Sequence, residues 1–381
     1  MTKTERQLQV VNKWIQNKFI GTLVGLTGFG KTRTAIECAK VFNSKFFTSK
    51  DIKIVVPTIN LKNQWEQELT KEEISAEVIV INTASKLNLI CGLLIIDEVH
   101  TSAAPTFKYI FDNIKYEALF NITATIERTD GMHELLLEKA PIIDEIDLEE
   151  CLANNWISNY VVYNIETPFS EDQQTIYNKA NNSFKHFAMK IESFETAKLW
   201  MLEGTSEQKG QASAYFNLLR KRKELITNNK TKVTITLEIL NRYKDEYAIV
   251  FSESIEFADT IEKLYGSTCA SLHSKKSNKL CKYYLKTFGK PENKTKVLAS
   301  CRSLILGIDA PFVSLGIVSS FNSSKLNSIQ SIGRVIRPMI DKQAKIFNLY
   351  TPNTQEVNWL KKKQEGQQNI IWIKSVKDIP K

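Results

Sequence analysis

The run FIGTLVGLTGFGKT at residues 19–32 limits what this chain can fold into more than any other feature. Apolar and β-branched residues lead into a glycine-rich turn, and the turn opens onto a helical pattern from Lys31 to Val41. A strand that passes through a tight turn into a helix is the building unit of a parallel α/β sheet. Gly25 to Thr32 also fits G-x4-G-K-T, the phosphate-loop pattern. In its bend, Thr27, Gly28 and Gly30 let backbone N–H groups curl around phosphate oxygens at a helix N-terminus. Lys31 then offers a positive charge to the β and γ phosphates of ATP, and Thr32 a hydroxyl to Mg2+. A glycine turn followed by Lys-Thr by chance is the competing explanation, and a second motif argues against it.

That motif is GLLIIDEVH, in which Leu93 to Ile96 run into Asp97 and Glu98. Two carboxylates after a continuous apolar run belong at the C-terminal edge of a buried strand, where ligands bind in such sheets. Asp97 is expected to hold Mg2+, directly or through water, and Glu98 to orient and activate the attacking water. Acidic residues also favour helix starts, but that preference does not explain why the pair follows both a strand and a phosphate loop. His100, two residues past Glu98, is expected to link nucleotide to a neighbouring domain, where in isolation it would read as a surface histidine.

The same alternation recurs along the chain. DIKIVVPT, EVIVINTAS and ALFNITAT read as further strands of a first half, with helices expected over Leu61 to Leu69, Thr106 to Ile114 and His133 to Lys139. A second series holds YAIVFSES, GSTCASLHS, TKVLASC, VSLGIVSSF and AKIFNLY, separated by helices over Ile255 to Leu264 and Asn278 to Phe288. The division is therefore a first α/β domain over 1–150, a second over 151–352 with a helical insertion at about 170–240, and a tail over 353–381. DLEECLANN, near Asp147 to Asn155, reads as the connecting helix and WISNYVVYNIE as the strand after it. The insertion carries the basic cluster RKRKELI, and the tail holds Trp359 and Trp372 with no evident chemistry.

Near the end of the second half, Gln330, Gly333, Arg334 and Arg337 form Q-x2-G-R-x2-R. Three-residue spacing puts both arginines on one helical face, where they can converge on one anion. Guanidinium groups reaching the γ-phosphate would stabilise transition-state charge only when two domains close, which couples hydrolysis to motion.

At 381 residues the chain suits two ordinary domains, and 43% hydrophobic with 24% charged residues suits a folded chain over a disordered one. Its formal net charge of +9 favours an anionic partner, nucleic acid first. No run is long and apolar enough to cross a bilayer, and MTKTERQLQV lacks the apolar core of a signal peptide. The expected home is inside the cell, the host cytoplasm for a viral protein. Six cysteines without a CxxC pair are expected to be reduced, mostly buried thiols.

With these residues in view, the chain resembles superfamily 2 helicases over roughly its first 350 residues. Pro57-Thr58 resembles motif Ia, Asn82-Thr83 motif Ib, Thr123-Ala124-Thr125 motif III, and Gly307-Ile308-Asp309 with Pro311 motif V. Within the superfamily, DEVH, TATIERTDG, RKRKELI in its helical insertion and ASCRSLILGID look most like the XPB/UvsW-like and type III restriction motor group. The resemblance implies two tandem RecA-like domains that move on nucleic acid, mostly from 3′ to 5′. It implies nucleotide contacts at Gly307 and Asp309, catalytic duty for Gln330, and coupling through His100, Thr123 and Thr125. Thr58, Thr83, Ser252 and Ser300 become candidate contacts to strand phosphates, hydroxyls that bind any sequence. Where many relatives have Tyr-Gln before the phosphate loop this chain has Arg6-Gln7, so Gln7 is expected to read adenine, with Arg6 or another residue stacking on it. Ile126 stands where a proline is usual, and Leu306 where an acidic or small residue often precedes the glycine of motif V.

The expectation is an ATP-dependent, nucleic-acid-stimulated enzyme that remodels duplex, forked or branched DNA in replication, recombination or repair, acting as a monomer or loaded by a partner. An RNA helicase is the nearest alternative, because backbone contacts alone do not separate the two polymers. A viral packaging motor and a non-catalytic nucleic-acid clamp are the others. The first should carry a nuclease domain and no Q-x2-G-R-x2-R, and the second has no use for Lys31, Thr32, Asp97, Glu98 and Arg337 together.

Overall fold

A computed structural model describes residues 1–26, 28–45, 51–103, 109–126, 133–301, 310, 312–320, 343–364 and 369–380. They divide into two compact units, one containing Met1–Tyr160 and the other beginning at Val161. Each is an α/β body around its own sheet, and the strand pairs with a described register run parallel.

The first unit opens with α1 (Lys3–Gln16), started by a reciprocal cap between Thr2 and Glu5. Gln7, Val10, Val11 and Trp14 recur at helical spacing and form its buried face. Then come β1 (Ile20–Gly25), α2 (Lys31–Lys45), β2 (Ile52–Val56), α3 (Ile59–Lys71), β3 (Glu77–Val80), α4 (Ile81–Ala84) and β4 (Leu89–Asp97). A short 3-10 turn at Val99–Ala103 follows, and α5 (Ile110–Asn113), β5 (Ile114–Thr123), α6 (His133–Lys139), β6 (Ile142–Ile146) and α7 (Leu148–Ala153) complete the unit. The strand order is β3-β2-β4-β5-β1-β6. Every residue of β2 is buried, and so is the stretch Cys91 to Asp97 of β4. Sheets covered on both faces read as unbroken apolar runs for this reason.

Two expectations shift here. Of the helix read over Thr106 to Ile114, residues 106–108 lie outside the described residues and Ile110–Asn113 is helical, while Ile114 already pairs with Leu89 as the first residue of β5. Strand β6 escaped the pattern because its sequence IIDEI carries two carboxylates that break the apolar run.

The second unit contains β7 (Tyr160–Glu166), α8 (Glu171–Ile191), α9 (Phe194–Glu203), α10 (Ser206–Thr227), α11 (Lys230–Arg242), β8 (Ala248–Ser252) and α12 (Ile255–Tyr265). Next are β9 (Cys269–Leu272), α13 (Asn278–Thr287), β10 (Val297–Cys301), β11 (Leu315–Val318), β12 (Ala344–Tyr350), α14 (Gln355–Lys363) and β13 (Ile370–Ile373). Their strand order is β13-β7-β12-β11-β8-β10-β9. The four helices α8 to α11 fill the connection between β7 and β8, where the sequence marks an insertion. Inside it, Phe184 and Tyr215 pack 5.1 Å apart across α8 and α10.

The residues beyond Pro352 are not a tail. Strand β13 adds to the sheet beside β7, with Ile370 opposite Val162. Helix α14 is fastened by Glu356, whose carboxylate takes two 2.8 Å bonds from Lys232 Nζ while both side chains are essentially inaccessible. The same ammonium donates to the Ser319 carbonyl at 2.8 Å. Burial pushes the Lys232 pKa down and that of Glu356 up, and their mutual attraction opposes both shifts.

Candidate active site

Parallel register brings three strand ends to one rim of the first sheet. Val24 lies opposite Thr123, and Asp97 opposite Ile122, so the C-terminal ends of β1, β5 and β4 are level within about a residue. At roughly 4.8 Å between neighbouring strands, the phosphate loop and the Asp97 carboxylate stand about 10 Å apart with β5 between them.

The loop after β1 is held at its middle. Phe29 is fully buried with its ring 5.6 Å from that of Trp156, while Gly28 and Gly30 take φ of +101° and +94°. Those left-handed bends suit glycine alone. Gln7 Nε2 donates to the Phe29 carbonyl at 3.0 Å and reaches that of Gly30 at 3.5 Å. A methyl on Gly30 would come within 2.6 Å of that amide nitrogen. From the start of α1, Lys3 Nζ donates to the Gly28 carbonyl at 2.6 Å, and Lys31 Nζ donates to that of Gly25 at 2.8 Å. Thr32 is half-buried in the first turn of α2, and Thr27 lies outside the described residues.

Across the rim, Asp97 is buried and its Oδ2 accepts from the indole Nε1–H of Trp65 at 2.8 Å. Its pKa is pushed up to about 6, by burial first and by the neighbouring Glu98 charge second; the Trp65 hydrogen bond and the Lys31 charge pull the other way. That the Lys31 charge bears on Asp97 places the two in one electrostatic environment. Glu98 has φ +52°, which turns the chain out of β4, and its carbonyl accepts from the Thr101 N–H at 2.9 Å. The turn swings His100 back so that Nδ1 lies 3.5 Å from Glu98 Oε2 and 3.0 Å from Thr123 Oγ1. Thr123 Oγ1 donates in turn to the Thr125 carbonyl at 2.7 Å. His100, Thr123 and Thr125 are thus joined by hydrogen bonds that run into the segment after β5, with the Glu98 carboxylate close against the histidine ring.

The donor chemistry at this rim fits Mg2+. Asp97 and Thr32 offer oxygen, the ligand a small hard cation prefers, and no cluster of three or more His, Cys, Asp or Glu forms a closed cage among the described residues. One or two protein oxygens plus substrate phosphates is how such sites hold this ion.

Three expectations are corrected by the geometry. Arg6 does not present its guanidinium plane to a base: it is buried, its Nη atoms bond Asp144 at 2.5 and 3.0 Å, and Nε bonds Glu150 at 2.6 Å. The bond to Asp144 raises its pKa further. Ser252 and Ser300 do not present hydroxyls to a strand. Ser252 is 2% exposed and accepts from the Ser254 N–H, while Ser300 is fully buried in β10 and donates to the Cys301 carbonyl at 3.3 Å. Thr58 caps α3, accepting from the Leu61 N–H at 3.3 Å, and Thr83 is exposed on α4. Gly307, Asp309, Gln330, Arg334 and Arg337 lie outside the described residues. Sequence reading missed Trp65 and Lys3, whose partners no local spacing reveals.

A phosphate loop and an acidic strand end on one parallel sheet, followed by a second α/β sheet, define an ATPase of tandem RecA-like domains. Residues 1–88 and 82–128 match the family model described as type III restriction enzyme, res subunit, and residues 231–339 match the helicase conserved C-terminal domain. The chain is 25% identical to the DNA 3′-5′ translocase XPB2 of Sulfurisphaera tokodaii, over 94% of its own length and 84% of the relative's. It is a superfamily 2 helicase, related to XPB and to the type III restriction motors. Such proteins are nucleic-acid-dependent ATPases. In fold it is similar to the Hef helicase domain of Pyrococcus furiosus, with a TM-score of 0.59 at 15% identity, covering 95% of this chain and 98% of that one. The S. cerevisiae Dbp5 structure bound to RNA and ADP BeF3 gives 0.64 at 13% identity, over 97% and 89%.

Proposed function

We propose that this chain is an ATP- and Mg2+-driven DNA translocase that remodels duplex, forked or branched DNA in replication, recombination or repair. The observation that carries the reading is the chain of contacts from Glu98 through His100 to Thr123 and Thr125, beside Asp97 and Lys31. In it the residue placed to activate water lies against a hydrogen-bonded path into the segment after β5, an arrangement that supports coupling of hydrolysis to movement. The preference for DNA, and for travel from 3′ to 5′, draws on the relative named a DNA 3′-5′ translocase, which this chain matches along most of both lengths.

In this reading Lys31 meets the β and γ phosphates, and Asp97 with Thr32 holds Mg2+, which would neutralise phosphate charge when bound. Glu98 orients water, and Gln7 holds the loop while facing adenine. Gln330, Arg334 and Arg337 answer the γ-phosphate, with Gly307 and Asp309 beside the nucleotide. Thr58 and Thr83 meet strand phosphates. The protein works as a monomer, or is loaded by a partner, inside the cell. The test is ATP hydrolysis at fixed salt with single-stranded DNA, duplex, a fork or junction, and RNA. Stimulation by DNA that disappears in Lys31→Ala supports the reading. Preferential stimulation by RNA overturns the choice of polymer, and undiminished hydrolysis in Lys31→Ala overturns the site.

A further inference from the structure

Among the described residues of the second unit, two buried cations are treated very differently. Lys232 has its carboxylate, Glu356. Arg222, on α10 and only 7% exposed, has no carboxylate partner among the described residues: its Nε is buried without a hydrogen-bond partner, and its guanidinium carbon sits 4.2 Å over the Phe184 ring. A buried charge without a counter-charge is expensive. Arg222 lines the floor of a broad cleft of about 970 Å3 between α8 and the segment after β12. The floor therefore calls for an anion.

The walls say which anion. Tyr177, Asn181, Phe184 and Lys185 come from one face of α8, Lys361 from α14 and Trp372 from β13. Trp372 is 42% exposed and braced by the edge of Tyr350, 5.1 Å away, which leaves a fixed aromatic surface open to solvent. The lining carboxylate, Glu166, already accepts from the Tyr350 hydroxyl at 3.1 Å. Flat aromatic surface, cations at two depths and amide side chains together match a nucleotide whose base is unpaired. Bases in a duplex present no face to stack on, whereas single strands bind by this combination.

We propose that this cleft holds a nucleotide segment of single-stranded nucleic acid, with a base on Trp372 and a phosphate drawn to Arg222, and with Lys185 and Lys361 at the rim. The assignment rests on the reading that the chain acts on nucleic acid, and it gives the helical insertion and the segment beyond Pro352 a shared purpose. No covalent step is involved.

The experiment measures anisotropy of fluorescein-labelled dT12 on the full chain without nucleotide, across a salt series. ATP hydrolysis with and without DNA is read in parallel. Trp372→Ala removes an exposed surface and should weaken dT12 binding about tenfold. Arg222→Met keeps an unbranched side chain over Phe184 without the charge and should weaken it similarly, while Lys361→Ala should reduce the salt slope by about one. DNA-independent hydrolysis should be unchanged in all three. If Arg222→Met does not fold, by circular dichroism, Trp372→Ala decides alone. A 5-iodouracil-substituted dT12 should crosslink within α8 or at Trp372. Wild-type dT12 affinity in Trp372→Ala, with hydrolysis still stimulated by DNA, overturns the cleft and leaves the translocase reading intact. Absence of stimulation by any nucleic acid overturns the translocase reading itself. A poly-glutamate-tyrosine peptide that binds more tightly than dT12, and is lost in Trp372→Ala, overturns the proposal in favour of an acidic protein partner.

Discussion

Gly30 and Gln7 provide a double-variant test of how the phosphate loop is held. Gly30 has φ +94°, and a Cβ there would lie 2.6 Å from the Gln7 amide nitrogen that donates to the Phe29 carbonyl at 3.0 Å. Gly30→Ala must adopt a left-handed backbone, costing roughly 1–2 kcal/mol. It must also displace the Gln7 amide, and the lost buried hydrogen bond adds about 1–3 kcal/mol. The single variant is thus expected to lose about 2–5 kcal/mol locally. Gln7→Ala alone forfeits only the hydrogen bond, about 1–3 kcal/mol. In the double variant the methyl has room and that bond is already gone. Its loss should therefore fall short of the sum by about 1–3 kcal/mol, the signature of direct contact. Native-state hydrogen exchange of the α2 amides is the suitable assay, because it reads local opening without assuming that both units unfold together. Additivity to within about 0.5 kcal/mol would refute the argument, since it would mean that Gln7 does not press on Gly30.

Two further outcomes are expected. Trp65→Phe removes a donor that lowers the Asp97 pKa from a position already pushed up to about 6. The carboxylate should become harder to ionise, the acid limb of hydrolysis should move to higher pH, and the Mg2+ midpoint should rise by about 3–10-fold; an unchanged Mg2+ titration contradicts this. Lys232→Met strands the buried Glu356 and should destabilise the second unit by about 3–5 kcal/mol, whereas adding Glu356→Leu should recover most of the loss. Thermal melting checks both, and a single variant that melts like the wild type refutes the pairing.

The rim of the first sheet was legible because its residues sit at strand ends. An apolar run such as Leu93 to Ile96 fixes where a strand stops, so Asp97 and Glu98 follow from local pattern alone. Trp65 did not, because its bond to Asp97 spans 32 positions and joins a helix to a strand two steps away. Arg6 misled for the same reason: Asp144 and Glu150, 138 and 144 positions on, occupy the guanidinium that would otherwise stack. The family resemblance suggested Ser300 as a strand contact, but β10 runs between β8 and β9 and buries it. Past Pro352, a lysine- and glutamine-rich composition concealed a strand and a buried glutamate, since one ion pair and four ladder residues leave almost no trace in composition.

The placement of β13 also has a consequence for the order in which the protein can be made. The first sheet has all its described strands once Ile146 has been synthesised. The second must wait for Ile370–Ile373, and Asn164 meets its partner Gln364 only 200 positions later. A nascent chain can therefore assemble its nucleotide-binding half early, while β7 keeps an open edge and Lys232 lacks its carboxylate until Glu356 and β13 have been made. A product interrupted after Tyr350 would be exposed to proteolysis at that unfinished edge, which ties the survival of the second half to the synthesis of β13.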